Sequence, residues 1–147
     1  MSKTYIPVAL RQLVVSRANA LCEYCLIHEQ DTYFGCEVDH IISEKHGGPT
    51  NAKNLAYACL YCNRNKGSDV GSIIWETGKF YRFYNPREDA WSTHFVIDGA
   101  RIVPQTNIGH VTARILELNR IDRLIEREEM RKHGLYPSVE AQKLINL

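Results

Sequence analysis

The sequence predicts an α+β fold organised around a cysteine-rich stretch, and three observations carry this prediction. Apolar residues recur at helical spacing near both ends of the chain. Short segments typical of strands lie between these ends. Two Cys-x-x-Cys pairs stand at positions 22–25 and 59–62. A chain of 147 residues suits one domain, residues 1–147, which we divide into a core at 22–67 and a C-terminal extension at 68–147 packed on it.

The composition excludes several classes of protein. Hydrophobic residues make up 44% and charged residues 24% of the chain, as in ordinary globular proteins. The formal net charge is only +1, so any nucleic-acid binding must come from local patches. No apolar run approaches the roughly 20 residues that span a membrane. Residues 1–7 lack the features of a signal peptide, and we therefore expect a cytoplasmic protein.

The first half of the chain predicts a helix, a strand and a second helix. Residues 7–20 have helical spacing, and Pro7 suits a first helical position. Residues 36–42 alternate as a strand does. A short helix is expected to begin near Leu60 and to end at Gly67.

The second half predicts two hairpins followed by helices. Residues 72–84 form an aromatic-rich hairpin region, and residues 94–103 read as a hairpin with its turn at 98–99. Residues 107–133 predict one long helix, and a final short helix is expected to begin at 137–138. The predicted buried stripe of the long helix is Val111, Ile115, Leu118, Ile121, Leu124 and Ile125. Its predicted charged face is Arg114, Arg120, Arg123, Glu126, Arg127 and Glu128.

The two Cys-x-x-Cys pairs predict a structural zinc site. Zinc takes four thiolates at about 2.3 Å in a tetrahedron, and two such pairs close its coordination shell. Alternatively, one pair is a redox motif or simply two buried cysteines. The intervening residues, 26–58, are more than a simple zinc ribbon needs, which indicates a functional insertion. Cys36 is left over and is expected to pack as a small hydrophobe. The predicted zinc ligands are Cys22, Cys25, Cys59 and Cys62.

The insertion carries further short motifs in a fixed order. They are Asp39-His40-Ile41-Ile42, Gly47-Gly48, Asn54-Leu55 and, after the last cysteine, Asn63-x-x-Lys66. Together with the cysteines they resemble the HNH endonucleases, which are ββα-metal nucleases on a treble-clef-like zinc support. Asn63 makes the chain similar to the H-N-N variant. Residues 85–87 and 91–95 more weakly resemble an extension of free-standing bacterial HNH proteins.

The resemblance implies roles for four polar residues. His40 would be the general base, because an imidazole can exchange a proton near pH 7. Asp39 and Asn63 would bind one catalytic Mg²⁺, or another divalent ion, through oxygen. Asn54 would orient His40 through the backbone, and Asn51 is a competing candidate for that role. The implied catalytic set is therefore His40, Asn54 and Asn63, and the implied products carry 5′-phosphate and 3′-OH ends.

Basic residues outnumber acidic ones around these motifs. Residues 40–87 contain seven Lys and Arg against three Asp and Glu. Arg64, Lys66 and Lys45 are the candidate phosphate contacts, which would give affinity without sequence information. No helix shows a pattern for reading bases. We therefore expect double-stranded DNA as the partner, with RNA still open.

Three functions from different classes compete. The first is an HNH endonuclease, a hydrolase of phosphodiester bonds. The second is a zinc-knuckle module that binds nucleic acid without catalysis, and the third is a redox or zinc-storage protein. A mere binding module has no need of Asp39, His40 and Asn63, which favours the nuclease. Monomer and homodimer both remain open, as do nicking versus double-strand cleavage and the biological role.

Overall fold

The computed structural model describes residues 4–146 and has the α+β architecture that the sequence predicts. Six helices and three antiparallel strand pairs occur in this part of the chain. Residues 1–3, which belong to the segment considered for a signal peptide, and residue 147 lie outside the described residues. Within residues 4–146, no helix combines the length and apolar character needed to cross a membrane.

The N-terminal helix α1 spans Val8–Arg17, with Pro7 immediately before it. Val14 is buried on its inner face and packs against Leu55 and Tyr57 in a small apolar cluster. The helix is shorter than the predicted 7–20. It ends early because the backbone turns into the left-handed region, with φ of 52° at residue 19 and 59° at residue 20.

A ββα unit follows, made of β1 (Cys36–His40), β2 (Leu55–Cys59) and α2 (Leu60–Lys66). The two strands are antiparallel, and α2 continues from β2 without a loop. We predicted a strand extending to Ile42, but the Ile42 backbone bonds to the side chain of Asn54 instead of to a strand. Three short 3-10 turns shape the neighbouring loops: Glu29–Asp31, Glu44–His46 and Ala52–Asn54.

Both predicted hairpins are present in the second half of the chain. The first pairs β3 (Gly71–Ile74) with β4 (Lys79–Arg82). The short helix α3 (Trp91–His94) leads into the second, which pairs β5 (Phe95–Asp98) with β6 (Arg101–Pro104). Its turn is at residues 99–100, one position later than predicted, because the last residue of β5 pairs with the first residue of β6.

The predicted long helix is wrong: it is two helices, α4 (Asn107–Ile115) and α5 (Ile121–Lys132). Glu117 adopts a left-handed conformation with φ of 53°. The N–H of Leu118 reaches back to the carbonyl of Ala113 at 3.0 Å. This is a Schellman motif, which ends a helix, although its left-handed position usually carries glycine.

The break changes which face of α5 is buried. Ile121 and Ile125, predicted to be buried, are 69% and 64% exposed. Arg123 and Arg127, predicted on the charged outer face, are 5% and 0% exposed. The buried stripe was predicted for one continuous helix. The break at residues 116–120 interrupts the helical periodicity, so different positions of α5 face the core.

Arg127 is buried because it satisfies carbonyl groups of two neighbouring segments. Its Nε donates to the Ala100 carbonyl at 2.7 Å, and its Nη2 donates to the Leu118 carbonyl at 2.6 Å. The amide of Asn119 pairs with both backbone groups of Ile102 at 2.7 and 2.9 Å. Together these bonds tie the β5–β6 hairpin to the α4–α5 corner.

The final helix α6 spans Val139–Ile145, as predicted. The Ser138 side chain accepts the N–H of Ala141 at 3.2 Å and caps the helix. Ala141 is fully buried against the main apolar core.

We predict that Arg127→Met lowers the free energy of unfolding by about 2–4 kcal/mol, since it leaves buried carbonyls without donors. Arg131→Met is the matched control on the next turn of α5. Arg131 is exposed and bonds only to Glu128, so its loss should cost under about 1 kcal/mol. Urea denaturation of both zinc-loaded variants measures the difference, and equal stabilities would contradict this role for Arg127.

Candidate metal centre and active site

Four buried cysteines converge at one point, as the sequence predicts. Their sulfur atoms all lie within 4.8 Å of one another, and Cys25 Sγ is 3.7 Å from Cys59 Sγ. A tetrahedral zinc ion with Zn–S bonds of about 2.3 Å requires sulfurs about 3.8 Å apart. The donor set and its spacing therefore fit zinc. The four are Cys22, Cys25, Cys59 and Cys62.

The first cysteine pair sits on a tight backbone knuckle. The Leu26 N–H donates to the Cys22 carbonyl at 2.9 Å, and the Cys22 N–H donates to the Ile27 carbonyl at 2.8 Å. The Cys25 N–H points at Cys22 Sγ at 3.5 Å. Burial raises the pKa of Cys22, whereas the side-chain hydrogen bond between Cys22 and Cys25 lowers the pKa of Cys25. The backbone bonds of the knuckle thus place the two sulfur atoms on the same side.

The C-terminal extension braces this knuckle, a role that the sequence did not reveal. Trp91 Nε1 donates to the Tyr24 carbonyl at 2.9 Å. The Tyr136 hydroxyl donates to the Cys25 carbonyl at 2.8 Å. Both donors are buried, and both bonds join segments more than 60 positions apart in sequence.

Glu23, inside the first cysteine pair, links the knuckle to β2 and to the extension. Its carboxylate accepts the Tyr57 N–H at 2.8 Å and forms an ion pair with Arg87. Burial raises the pKa of Glu23, and the positive charge of Arg87 opposes that rise. The 85–87 motif, which carried only a weak resemblance, therefore has a structural contact at the metal centre.

A groove of about 850 Å³ runs along β1 and α2. The predicted catalytic base His40 and the predicted Mg²⁺ ligands Asp39 and Asn63 all line this groove. Its polar lining includes Arg11, Glu37, Asp39, His40, Asn63 and Arg64.

His40 ends β1 with its ring held by a loop. The ring is 3% exposed, and Nε2 lies 2.8 Å from the Thr50 hydroxyl and 3.7 Å from the Glu44 carboxylate. Nδ1 makes no hydrogen bond to any residue between 4 and 146. The imidazole is thus anchored through one nitrogen only, and the sequence did not single out Thr50 as its partner.

Asn54 joins the strand end to the glycine loop. Its Oδ1 accepts the Ile42 N–H, and its Nδ2 donates to the carbonyls of Ile42 and Pro49, each at 2.9 Å. Gly48 allows this approach, since a Cβ there would lie 1.8 Å from the Ile42 carbonyl oxygen. Asn54 therefore holds both ends of the loop that connects His40 to Thr50.

Asn51, the competing candidate, makes a different kind of contact. Its Oδ1 accepts the Lys53 N–H at 3.1 Å and caps a 3-10 turn, and its side chain is exposed. Of the two asparagines, only Asn54 bonds to the backbone beside His40.

Asp39 and Asn63 offer oxygen atoms to the groove. Asn63 Nδ2 donates to Glu37 at 3.2 Å, and its Oδ1 accepts no hydrogen bond from residues 4–146. A carboxylate and an amide oxygen suit Mg²⁺, which usually keeps several waters. Within the described residues, no carboxylate or histidine cluster approaches the compactness of the cysteine cluster. The oxygen site would thus be an open one, with few protein ligands.

The candidate phosphate contacts differ in placement. Arg64 is exposed and lines the groove, whereas Lys45 is exposed on the 44–46 turn and is not part of the groove lining. Lys66 is 2% exposed, which does not agree with our expectation of a surface contact. Its ammonium donates to the His40 carbonyl at 2.9 Å and lies 3.4 Å from Asp39. Burial lowers the pKa of Lys66, and Asp39 opposes that shift.

A ββα unit with a four-cysteine metal site beside an Asp-His pair defines the class of zinc-supported ββα-metal proteins. Comparison with family models agrees: residues 22–69 match the HNH endonuclease family. This segment of the chain is therefore similar to HNH endonuclease domains. Searches of curated proteins and of solved structures returned no significant match.

We predict that Cys59→Ser loses the zinc ion and most of the folded state, because a structural metal contributes folding energy. Cys36→Ser is the control, since Cys36 lies outside the sulfur cluster and is only half-buried. Zinc content by atomic emission and the far-ultraviolet circular dichroism spectrum measure both effects. Full zinc content in Cys59→Ser would contradict the ligand assignment.

Proposed function

We propose that the protein is an endonuclease that hydrolyses phosphodiester bonds in DNA by a one-metal mechanism. The observation that carries the proposal is the meeting of Asp39, His40 and Asn63 in one groove of an HNH-type unit. Arg64 and Arg11 line the same groove with positive charge. The products would carry 5′-phosphate and 3′-OH ends.

His40 is the proposed general base. When Nε2 donates its hydrogen to the Thr50 hydroxyl, Nδ1 keeps the lone pair that a base requires. The proton of the attacking water passes to Nδ1 as the water oxygen bonds to phosphorus. Asn54 supports this role as a positioning residue, since it bonds to the backbone just after His40 and to the backbone just before Thr50.

Asp39 and Asn63 are the proposed ligands of Mg²⁺ or another divalent ion. Such an ion, when bound, neutralises charge on the phosphate and on the leaving 3′ oxygen. Lys66 holds the Asp39 carboxylate and the His40 backbone in one arrangement from inside the unit. Arg64 and Lys45 contact the flanking phosphates of double-stranded DNA in this proposal, without reading sequence.

The proposed location is the cytoplasm. All five cysteines lie within the described residues, and none of them forms a disulfide there. A reducing compartment keeps such thiols available for zinc.

We predict that the zinc-loaded protein nicks or linearises supercoiled plasmid with Mg²⁺ and not with EDTA. His40→Ala should lose at least about 100-fold in cleavage rate, as expected for removal of a general base. His133→Ala is the control, because His133 directly follows α5, is exposed, and among residues 4–146 its side chain bonds only to Glu129. Each variant is compared at equal zinc content.

The same assay decides between the nuclease and the binding module. A folded, zinc-loaded protein that binds DNA but cleaves no plasmid with Mg²⁺, Mn²⁺ or Ni²⁺ would refute the nuclease and favour the non-catalytic module. Parallel reactions with labelled single-stranded DNA and RNA identify the substrate when duplex DNA remains intact.

We predict that Asn54→Ala lowers kcat by about 100-fold with little change in KM, because a displaced base loses alignment without losing phosphate contacts. Asn51→Ala should stay within a few-fold of the wild type. The pair is compared at equal zinc content by steady-state cleavage of a labelled duplex. Equal losses in both variants would reject Asn54 as the positioning residue.

A further inference from the structure

Arg123, in the C-terminal part of the chain, lies against the sulfur cluster. It is 5% exposed on α5, and its Nη2 is 3.3 Å from Cys25 Sγ and 3.7 Å from Cys59 Sγ. Its Nη1 is 3.6 Å from Cys59 Sγ. Arg123 and Cys25 are 98 positions apart in sequence, so the sequence offered no local signal for this contact.

A buried cluster of four thiolates needs positive charge. Four thiolates around one divalent zinc ion carry two net negative charges, and burying net charge without a partner is costly. Arginine is suited to the task because its planar guanidinium stays charged and donates several N–H bonds at once.

The neighbours of Arg123 do not offer an equal alternative partner. Glu126 Oε1 lies 3.7 Å from Nε, and Nε makes no hydrogen bond to any described residue. Tyr61 covers the guanidinium at 4.6 Å from its ring centre and keeps water away from that face. The two Nη groups are thus left to the sulfurs.

We infer that Arg123 is the charge-balancing partner of the metal centre, a positioning residue that strengthens zinc binding through N–H···S bonds to Cys25 and Cys59. Zinc binding and the docking of α5 then stabilise each other, because each completes the surroundings of the other. This role does not require nuclease activity.

The first test is zinc affinity of the full-length protein, measured by competition with a chromophoric chelator. Loss of an outer partner of a metal site typically costs about 10–100-fold in affinity, and we expect that loss for Arg123→Met. Arg131→Met, on the exposed side of the same helix, should bind zinc as the wild type does. Equal affinities for the two variants would overturn the inference.

A second pair of variants separates charge from packing and applies even where Arg123→Met does not fold. Arg123→Lys keeps the positive charge, and Arg123→Gln keeps a donor without charge. We expect tighter zinc binding by the Lys variant than by the Gln variant. In the Co²⁺-substituted protein, the sulfur-to-cobalt absorption band should shift in the Gln variant, because the sulfurs lose charged donors. Equal zinc affinities and an unshifted band would overturn the charge-balancing role.

Discussion

The structure depends on bringing four sulfur atoms to one buried point. Two of them come from a knuckle that follows α1, and two come from the corner between β2 and α2. Because the four sulfur atoms lie together, the knuckle packs against the strand pair. The same requirement fixes the direction in which α2 continues from β2. Asn63 directly follows Cys62, so its direction depends on the same constraint. The geometry of the groove is therefore a consequence of the sulfur cluster.

The extension at 68–147 completes this centre. It supplies an indole, a phenol and two guanidinium groups to the knuckle and to the sulfurs. Those donors are Trp91, Tyr136, Arg87 and Arg123. The small apolar core of a ββα unit gives little stability by itself, and the extension adds both buried area and hydrogen bonds. The sulfur cluster, the ββα unit and the extension are thus joined by buried contacts.

Some features were predictable because their signals are local in sequence. Cysteine spacing, strand alternation and the Gly67 stop each act over a few residues, and the structure has the metal site, β1 and α2 accordingly. The α4–α5 break was missed because its left-handed residue is Glu117, where glycine is usual. The burial of Arg127 and Lys66 was missed because their acceptors are backbone carbonyls on distant segments. Such partners exist only once the chain is folded.

The adjacency of Cys62 and Asn63 places a sulfur-rich environment and an oxygen-rich environment on consecutive residues of α2. Metal ions that prefer thiolates and metal ions that prefer oxygen would be sorted by ligand type rather than by distance. A soft ion such as cadmium would compete for the cysteines and leave the groove to hard ions. Soft metals would therefore act on the folding stability of this protein through the cysteines, and a hard ion would act at the proposed site in the groove, although the two sets of ligands include neighbouring residues.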